Sequence, residues 1–301
     1  MAAGPVPSVQ LLVEHDGAFR NYLGSARGDI DDRIRLALHG RAMPHEVEGH
    51  IMRGKRLRGT LTLLVHDALD GNDRSAALDL AAAVEVAHAA CLIIDDMLDG
   101  DTERRGKAAV HVDLGAMMAV LEAVDLLSLP YALAARHGRN AVESLSRVHH
   151  MVVSGAKREL AEAEASWDHY HALISQKTGE LFALSAAYGA MAADAAPDAI
   201  EAARTYGMRC GTVLQVIDDI LDMDNVNEPR SSSGPMLGRL LRAGDDHDAI
   251  SRSERLADDC IGEARKSAAM LASFAPGAVP ELRSCLVGAP AEMAHMMVRY
   301  G

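Results

Sequence analysis

The chain has 301 residues, of which 49% are hydrophobic and 24% are charged, a composition typical of folded globular proteins and not of disordered or collagen-like chains. Aromatic residues make up only 3%, and the abundance of Ala, Leu and Met favours helices over a β-sandwich or β-barrel. The formal net charge of −13 argues against a protein that binds nucleic acid, because contacts with phosphates need a basic surface.

The spacing of apolar residues predicts long helices. Between the prolines, which are expected at helix boundaries, apolar residues recur at the three- and four-residue steps of an α-helix. The predicted helices cover 60–70, 75–99, 112–127, 141–164, 169–194, 198–224 and 250–273. No strand-like alternation of any length is found, and the composition of 225–234 predicts a loop.

Three compact basic groups are notable in a chain this acidic. In 54–59 (GKRLRG), Lys55 and Arg58 stand three residues apart, a spacing suited to clamping a phosphate. The other two groups are the run 104–106 (RRG) and the run 176–179 (QKTG). Taken singly, each group would be an ordinary solvated surface charge.

Two aspartate clusters, 95–99 and 218–222, share the spacing DDxxD. On a helix, the first and last aspartates of each cluster lie one turn apart on one face, where like charges repel. Each cluster follows an apolar run, so a cation is needed to offset the carboxylates, and Mg²⁺ with its oxygen ligands fits best. One cluster alone would be a solvated helix end, but two in matching contexts predict a metal site. The predicted metal ligands are Asp95, Asp96, Asp99, Asp218, Asp219 and Asp222.

The cysteines and the apolar runs indicate the cellular compartment in which the protein is expected. Cys91, Cys210, Cys260 and Cys285 form no CxxC pair, which argues against a disulfide framework or a zinc site. The N-terminal segment lacks the features of a signal peptide, and the longest apolar run, 181–193, is too short to span a bilayer. We therefore expect a cytoplasmic protein without a stable membrane anchor.

In order, these motifs resemble those of the trans-isoprenyl diphosphate synthases, also called polyprenyl synthetases, and geranylgeranyl diphosphate synthases among them. The resemblance covers about 50–224. It rests on GKRLR at 54–58, the first aspartate motif with its trailing RRG at 95–106, the KT pair at 177–178 and the second aspartate motif at 215–222. It implies one all-α domain over 1–301, an isoprenoid-synthase-type helical bundle around a central active-site cavity.

The resemblance also implies an activity and its residues. Mg²⁺, as three ions, would join Asp95, Asp99 and Asp218 to the diphosphate of an allylic substrate, and with Lys177 these are the expected catalytic residues. The same diphosphate would contact Arg104, Lys177, Thr178 and Gln215. Isopentenyl diphosphate would be held by Lys55, Arg58, His88 and Arg105. The expected reaction is condensation of the two substrates into a longer trans-prenyl diphosphate.

Product length is expected to depend on the residues just before the first aspartate motif. In the resembled family, bulky residues four and five positions before the first aspartate stop the growing chain, whereas Cys91 and Ala90 are small here. We therefore expect a geranylgeranyl-length or somewhat longer product. Alternatively another helix closes the cavity, and the candidate side chains are Met117, Met118, Tyr131 and Phe182.

The segment after the second aspartate motif departs from the family pattern. The family carries two lysines there, but this chain has none between Lys177 and Lys266 and offers only Arg230, Arg239 and Arg242. Arginine is not a neutral exchange for lysine at a diphosphate. Two alternatives on the same fold therefore stay open, a class I terpene cyclase and a prenyltransferase to a non-isopentenyl acceptor.

Two expectations concern assembly. A third alternative is a catalytically silent partner subunit. The intact aspartate motifs argue against it, because a silent subunit has no reason to retain carboxylates that repel one another. The family usually forms homodimers, and the apolar stretch 112–135 is compatible with a dimer interface.

Overall fold

The computed structural model of the protein describes residues 17–161, 166–224, 246–275 and 279–300, together with 237, 240 and 277. Within these ranges the chain is built from helices, connecting turns and one two-stranded hairpin, which confirms the predicted all-α class. The helices are α1 (Ala18–Leu38), α2 (His45–Met52), α3 (Leu57–Ala68), α4 (Arg74–Asp99), α5 (Val110–Leu114), α6 (Ala116–Ala135), α7 (Arg139–Ala161), α8 (Trp167–Ile174), α9 (Glu180–Ala192), α10 (Pro197–Asp224), α11 (Asp246–Phe274) and α12 (Pro280–Tyr300). A π-helical turn, Ser175–Gly179, joins α8 to α9, and strands β1 (Glu103–Arg104) and β2 (Lys107–Ala108) form the hairpin.

Helix α4 lies in the core, where it packs against α1, α3, α6 and α9. Nearly every residue from Ala76 to Ala90 is buried, so the helix is apolar on all sides, as expected of a central helix. The side chain of Asp73 accepts a hydrogen bond from the amide of Ala76 at 2.9 Å and caps the helix start. Each buried Leu or Val contributes about 1.5–3 kcal/mol through removal from water.

The use of proline as a helix boundary was wrong at two positions. Helix α6 continues through Pro130, and α12 continues through Pro290. Pro130 is buried, so its packing offsets the loss of one backbone hydrogen bond. The sequence prediction also missed α1, although its buried residues Phe19, Leu23 and Ile30 recur at helical spacing.

Two helices contain longer apolar stretches than the 181–193 run, which was wrongly expected to be the longest candidate for a membrane span. By length and composition, α4 and α6 could each cross a membrane. The apolar window of α4 is 72% buried inside the protein, as in a core helix, whereas that of α6 is 33% buried. All four cysteines are free thiols. The cytoplasmic location stays a prediction.

Candidate active site

The first aspartate cluster occupies the last turn of α4, just before the helix ends at a left-handed glycine. Gly100 has a φ of 72°, and the amide of Asp101 donates to the carbonyl of Asp96 at 2.9 Å, the Schellman arrangement that closes a helix. Asp95 is half-buried and Asp99 is exposed, whereas Asp96 is fully buried. The first and last carboxylates therefore share an accessible face, as their spacing predicts.

A lysine lies against this accessible face. Lys177 Nζ is 2.9 Å from Glu159 Oε2 and 3.8 Å from Asp95 Oδ1. Burial raises the pKa of Asp95 and of Asp99, and Lys177 opposes the rise in both. Burial alone would lower the pKa of Lys177, but Asp95 and Glu159 raise it above its ordinary value, so the lysine stays charged. The carboxylates outnumber the lysine, and a further cation would relieve their repulsion.

The middle aspartate of the first cluster, Asp96, faces an arginine and not the accessible side of α4. The guanidinium of Arg104 contacts the buried carboxylate of Asp96 and lies 3.5 Å from Asp101 Oδ2. Arg104 ends strand β1, and the turn residues Arg105 and Gly106 both have positive φ, 53° and 70°, as a type I′ hairpin turn requires. Asp96 thus anchors the hairpin to α4, and Arg104, expected at the allylic diphosphate, is paired with carboxylates.

The KT pair lies in the π-helical turn Ser175–Gly179. The amide of Glu180 donates to the carbonyl of Ser175, five residues earlier, instead of four as in an α-helix. Such turns are frequent at functional sites, because the extra residue redirects the side chains that leave the helix. The turn presents Lys177 to the first aspartate cluster and Thr178 to α10.

Two glycines allow this turn to lie close to α10. A Cβ atom on Gly211 would come 2.9 Å from the Cα of Gly179, closer than real side chains approach. The close approach brings the hydroxyl of Thr178 to the amide of Gln215, where Thr178 Oγ1 donates to Gln215 Oε1.

The second aspartate cluster continues from Gln215 along α10. Gln215 Nε2 donates to Asp219 Oδ1 at 2.8 Å, and the hydroxyl of Tyr170 donates to Asp219 Oδ2 at 2.8 Å. Asp219 is 8% exposed, whereas Asp218 is half-buried. Asp222 lies on the same helix, but its side chain is outside the described part of the structure.

The basic residues predicted to hold the second diphosphate are brought together. Burial and the charge of Arg105 lower the pKa of Lys55, and the charge of Asp218 opposes this. The pKa of Arg58 is lowered to about 10, mainly by burial and also by the charge of Arg105, while the charge of Glu85 opposes the fall. Burial and the neighbouring Arg104 lower the pKa of Arg105. Buried cations whose pKa is lowered by neighbouring positive charges form a site that favours an anion.

His88 and Phe182 complete this basic cluster. Burial and the charges of Arg58 and Arg105 hold the pKa of His88 well below its usual value, so its ring is neutral. The guanidinium of Arg58 lies over the ring of Phe182, 4.4 Å from its centre, and its buried Nε has no hydrogen-bond partner among the described residues. An orphaned buried donor beside other cations is what an anion site requires.

Hydrogen bonds of the buried Arg56 side chain hold the segment that carries Lys55 in place. It has a left-handed backbone with φ of 61° and is 1% exposed. Its Nε donates to Asp31 Oδ1 at 2.6 Å, and its Nη1 donates to the carbonyl of Ile51 at 2.8 Å. A Cβ atom on Gly54 would lie 2.3 Å from that Nη1, so the glycine leaves room for the buried guanidinium. Sequence reasoning assigned no role to Arg56 or Asp31.

A small apolar cavity lies between α4, α6, α7 and α9. Cys91, one turn before Asp95, and Ala87, two turns before it, line the cavity from α4. The hydroxyl of Tyr131 and Nδ1 of His149 form a hydrogen bond of 3.0 Å at its wall. The cavity thus runs along α4 past Cys91 and Ala87, one and two turns before the first aspartate cluster.

The two predicted chain-length residues differ in position. Cys91 lines the cavity, whereas Ala90 is fully buried in the apolar core between α1, α4 and α6. Adjacent helical residues point about 100° apart, so only one of the two can face the cavity.

The four side chains that were candidates for closing the cavity also differ in position. Tyr131 borders the cavity. Phe182 is buried beneath Arg58 and belongs to another part of the core. Met117 and Met118 are 84% and 46% exposed, so they do not fill the interior of this chain.

Sequence reasoning missed Glu159 and Tyr170. Glu159 stands one turn after Gly155, where a Cβ atom would come 3.1 Å from the Cβ of Gln176. Gly155 therefore lets α7 approach the π-helical turn, and an acidic residue four positions after that glycine was the available signal. Nothing in the local sequence singled out Tyr170.

Within the described residues, no three His, Cys, Asp or Glu side chains form a preassembled metal site. Mg²⁺ usually binds one or two carboxylates and takes its other ligands from water and substrate phosphates. Asp95 and Asp99 on α4, and Asp218 on α10, are carboxylates that suit that kind of site. Most of the lysine-free segment lies outside the described residues, including its arginines Arg230, Arg239 and Arg242.

The chain matches the family model for polyprenyl synthetase over residues 44–230. It is 37% identical over 214 residues to the short chain isoprenyl diphosphate synthase of Methanocaldococcus jannaschii, covering 64% of this chain and 62% of that protein. It is 32% identical to the geranylgeranyl diphosphate synthase of Methanosarcina mazei, covering 64% of this chain and 60% of that protein. The matched region thus spans about three fifths of these curated relatives.

The fold has a solved counterpart. The geranylgeranyl pyrophosphate synthetase of the archaeon Geoglobus acetivorans superposes with a TM-score of 0.75 at 21% identity, covering 95% of this chain and 100% of that chain. This likeness shows the isoprenoid-synthase type of helical bundle. The family match over 44–230, more than half of the chain, shows that this chain belongs to the polyprenyl synthetase family.

Proposed function

We propose that the protein is a Mg²⁺-dependent prenyltransferase that condenses isopentenyl diphosphate with an allylic prenyl diphosphate into a longer trans-prenyl diphosphate. The observation that carries this proposal is the pairing of two unlike groups near one apolar cavity. One group is acidic, with Lys177 beside Asp95, and the other consists of desolvated cations around Arg58. The names of the curated relatives support the same reaction class.

The allylic diphosphate is assigned to the acidic group. Asp95, Asp99 and Asp218 would hold Mg²⁺, and the bound ion would supply charge stabilisation for the departing diphosphate. Lys177 adds a fixed positive charge, because its neighbours keep it protonated. Three metal ions remain an expectation from the family resemblance.

The acceptor is assigned to the basic group. Burial lowers the pKa of Lys55, Arg58 and Arg105, and the positive charge of Arg105 also lowers the pKa of the other two, so a bound diphosphate would relieve a cost that the protein already bears. His88 is neutral beside them and can donate a hydrogen bond without adding charge. A terpene cyclase has no second diphosphate to hold, so this cluster favours elongation over cyclisation.

The apolar cavity is assigned to the growing prenyl chain. Its lining excludes water from the allylic cation that forms when diphosphate departs. Cys91 and Ala87 leave room along α4, which supports a product of geranylgeranyl length or somewhat longer. Tyr131 and His149 lie at the wall where a longer chain would meet polar groups.

A homodimer is part of the proposal. Met117, Leu121 and Val124 form one helical stripe on α6 and are 84%, 62% and 61% exposed. A contiguous exposed apolar stripe marks an interaction surface, and a second copy of the chain can cover it by two-fold symmetry. Light scattering should give twice the mass of the chain, and Leu121→Glu should give a monomer. Binding of the purified protein to lipid vesicles through this stripe would contradict the assignment.

The reaction is tested with purified protein, Mg²⁺, isopentenyl diphosphate and, separately, dimethylallyl, geranyl and farnesyl diphosphates, with products identified by mass spectrometry. Longer linear diphosphates are the expected products. Hydrocarbons formed from an allylic diphosphate alone would indicate a cyclase. Turnover only after addition of a second protein would indicate a modulatory subunit, and either result would contradict the proposal.

A further inference from the structure

Four side chains form a continuous row of hydrogen bonds behind the acidic group. Thr178 donates to Gln215, Gln215 donates to Asp219 at 2.8 Å, and Tyr170 donates to the other oxygen of Asp219 at 2.8 Å. The row joins the π-helical turn, α10 and α8. Tyr170 is fully buried and Asp219 is 8% exposed.

The carboxylate fixes the direction of every bond in the row. An ionised carboxylate only accepts, so the Gln215 atom that faces Asp219 must be the NH₂ group. The carbonyl of that amide then faces Thr178, whose hydroxyl must donate to it. One amide hydrogen of Gln215 is engaged by Asp219, and the second is left to a further acceptor.

We infer that Asp219 and Tyr170 are positioning residues that orient Gln215 and Thr178 toward the allylic diphosphate, and that Asp219 does not ligate metal. The assignment of Gln215 and Thr178 rests on the proposed function. Both oxygens of Asp219 already accept hydrogen bonds, and withdrawing one of them would strand the buried hydroxyl of Tyr170. Asp218, its neighbour, is more exposed and exerts its charge on Lys55.

Tyr170 is suited to this role because it remains a donor. Burial raises the pKa of Tyr170 well above its usual value, and the charge of Asp219 raises it further. The phenol therefore stays protonated and holds the carboxylate in one orientation. The edge of Trp167 packs against the Tyr170 ring with centres 5.8 Å apart, which restricts rotation of the ring.

The test is a calorimetric titration of the full chain with inorganic diphosphate at a series of Mg²⁺ concentrations. Asp218→Asn should raise the Mg²⁺ concentration for half-saturation by about tenfold. Tyr170→Phe and Asp219→Asn should leave that concentration unchanged and weaken diphosphate binding at saturating Mg²⁺ by about tenfold, the value of one hydrogen bond to a charged group. The allylic KM should rise equally, while the KM for isopentenyl diphosphate stays constant.

Tyr188→Phe is the matched control. Tyr188 is also fully buried and donates one hydrogen bond, to the carbonyl of Ala141 at 2.8 Å. The Tyr188→Phe variant should lose thermal stability as Tyr170→Phe does, but its affinity for diphosphate should not change. Equal losses of affinity in both variants would reduce Tyr170 to a purely structural residue and overturn the inference.

Two further outcomes are decisive. If Asp219→Asn raises the Mg²⁺ concentration for half-saturation as much as Asp218→Asn does, Asp219 is a metal ligand and the inference is overturned. A wild-type protein that binds Mg²⁺ and diphosphate as described but condenses no substrates would overturn the proposed function, and the inference about Asp219 would stand.

Discussion

The two aspartate clusters have the same spacing, but their buried middle carboxylates have different partners. In the first cluster, Asp96 is fully buried against the charged guanidinium of Arg104. In the second, Asp219 is nearly buried and accepts hydrogen bonds from two neutral groups, Tyr170 and Gln215. The shared pattern therefore predicts which residues lie one turn apart, but elements distant in the sequence decide what the middle residue does.

The difference has energetic consequences. Loss of one partner from a buried ion pair typically costs about 3–5 kcal/mol, because the remaining charge is left uncompensated. Loss of a neutral donor to a buried acceptor typically costs about 1–3 kcal/mol. The contact of Asp96 with Arg104 thus depends on charge balance, and the contact of Asp219 with Tyr170 depends on hydrogen-bond geometry.

The largest expected effect comes from the outer aspartates, which the two clusters are proposed to use alike. Asp95→Ala and Asp218→Ala should each lower kcat/KM by about 1,000-fold or more, because each removes a metal-binding carboxylate. Steady-state kinetics at saturating Mg²⁺ measure this loss. The control is Asp113→Ala, an exposed aspartate of α5, which should keep wild-type activity. Near-wild-type rates in either cluster variant would remove that cluster from the metal site.

The middle residues should separate the clusters. Arg104→Met should lower the free energy of unfolding by about 3–5 kcal/mol, because the buried carboxylate of Asp96 loses its cation. Tyr170→Phe should lower it by only about 1–3 kcal/mol. Urea unfolding of both variants measures the two values. Equal values would show that the two middle carboxylates are held by interactions of the same kind.

The pH dependence of the Arg104→Met variant sharpens this comparison. Burial raises the pKa of Asp96, and Arg104 opposes the rise. Without Arg104 the folded state binds a proton more tightly than the unfolded state, so stability falls as pH rises above the ordinary carboxyl pKa of 3.8. The destabilisation should therefore shrink by about 1–2 kcal/mol between pH 7 and pH 5, as measured by urea unfolding. A destabilisation independent of pH would exclude Asp96 as its cause.

The residues one turn before each cluster provide another contrast. Cys91 borders the cavity, whereas Leu214, one turn before Asp218, is buried in the core. Cys91→Phe should shorten the product by at least one isoprene unit, as mass spectrometry of the diphosphates would show. Ala90→Phe is the matched control, and it should cost about 1–3 kcal/mol by overpacking the core without shortening the product. Unchanged products from Cys91→Phe would place the prenyl chain elsewhere.

The smallest effect is expected at Glu159, which only the first cluster has nearby. Glu159→Gln removes a carboxylate that competes with the substrate for Lys177, so the allylic KM should fall by about twofold to threefold. The KM for isopentenyl diphosphate serves as the internal control and should not change. A large rise of the allylic KM would mean that Glu159 is needed to position the lysine.

Much of this arrangement follows from the sequence, but not all of it. Helical periodicity predicts the all-α class, and the order of the motifs predicts which side chains gather at the site. The sequence does not show that Ala90 faces the core and Cys91 the cavity, because α4 is apolar on every side and offers no polar face to orient it. Tyr170 and Glu159 were missed because their partners, Asp219 and Lys177, lie on other elements.

A crystal structure with Mg²⁺ and an unreactive allylic diphosphate analogue tests the central claim most directly. We expect metal ions bound by Asp95, Asp99 and Asp218 and bridged to the diphosphate, with Asp219 still bonded to Tyr170 and the second diphosphate site open beside Arg58. Metal ions bound by Asp219, or an analogue bound away from both aspartate clusters, would contradict the account.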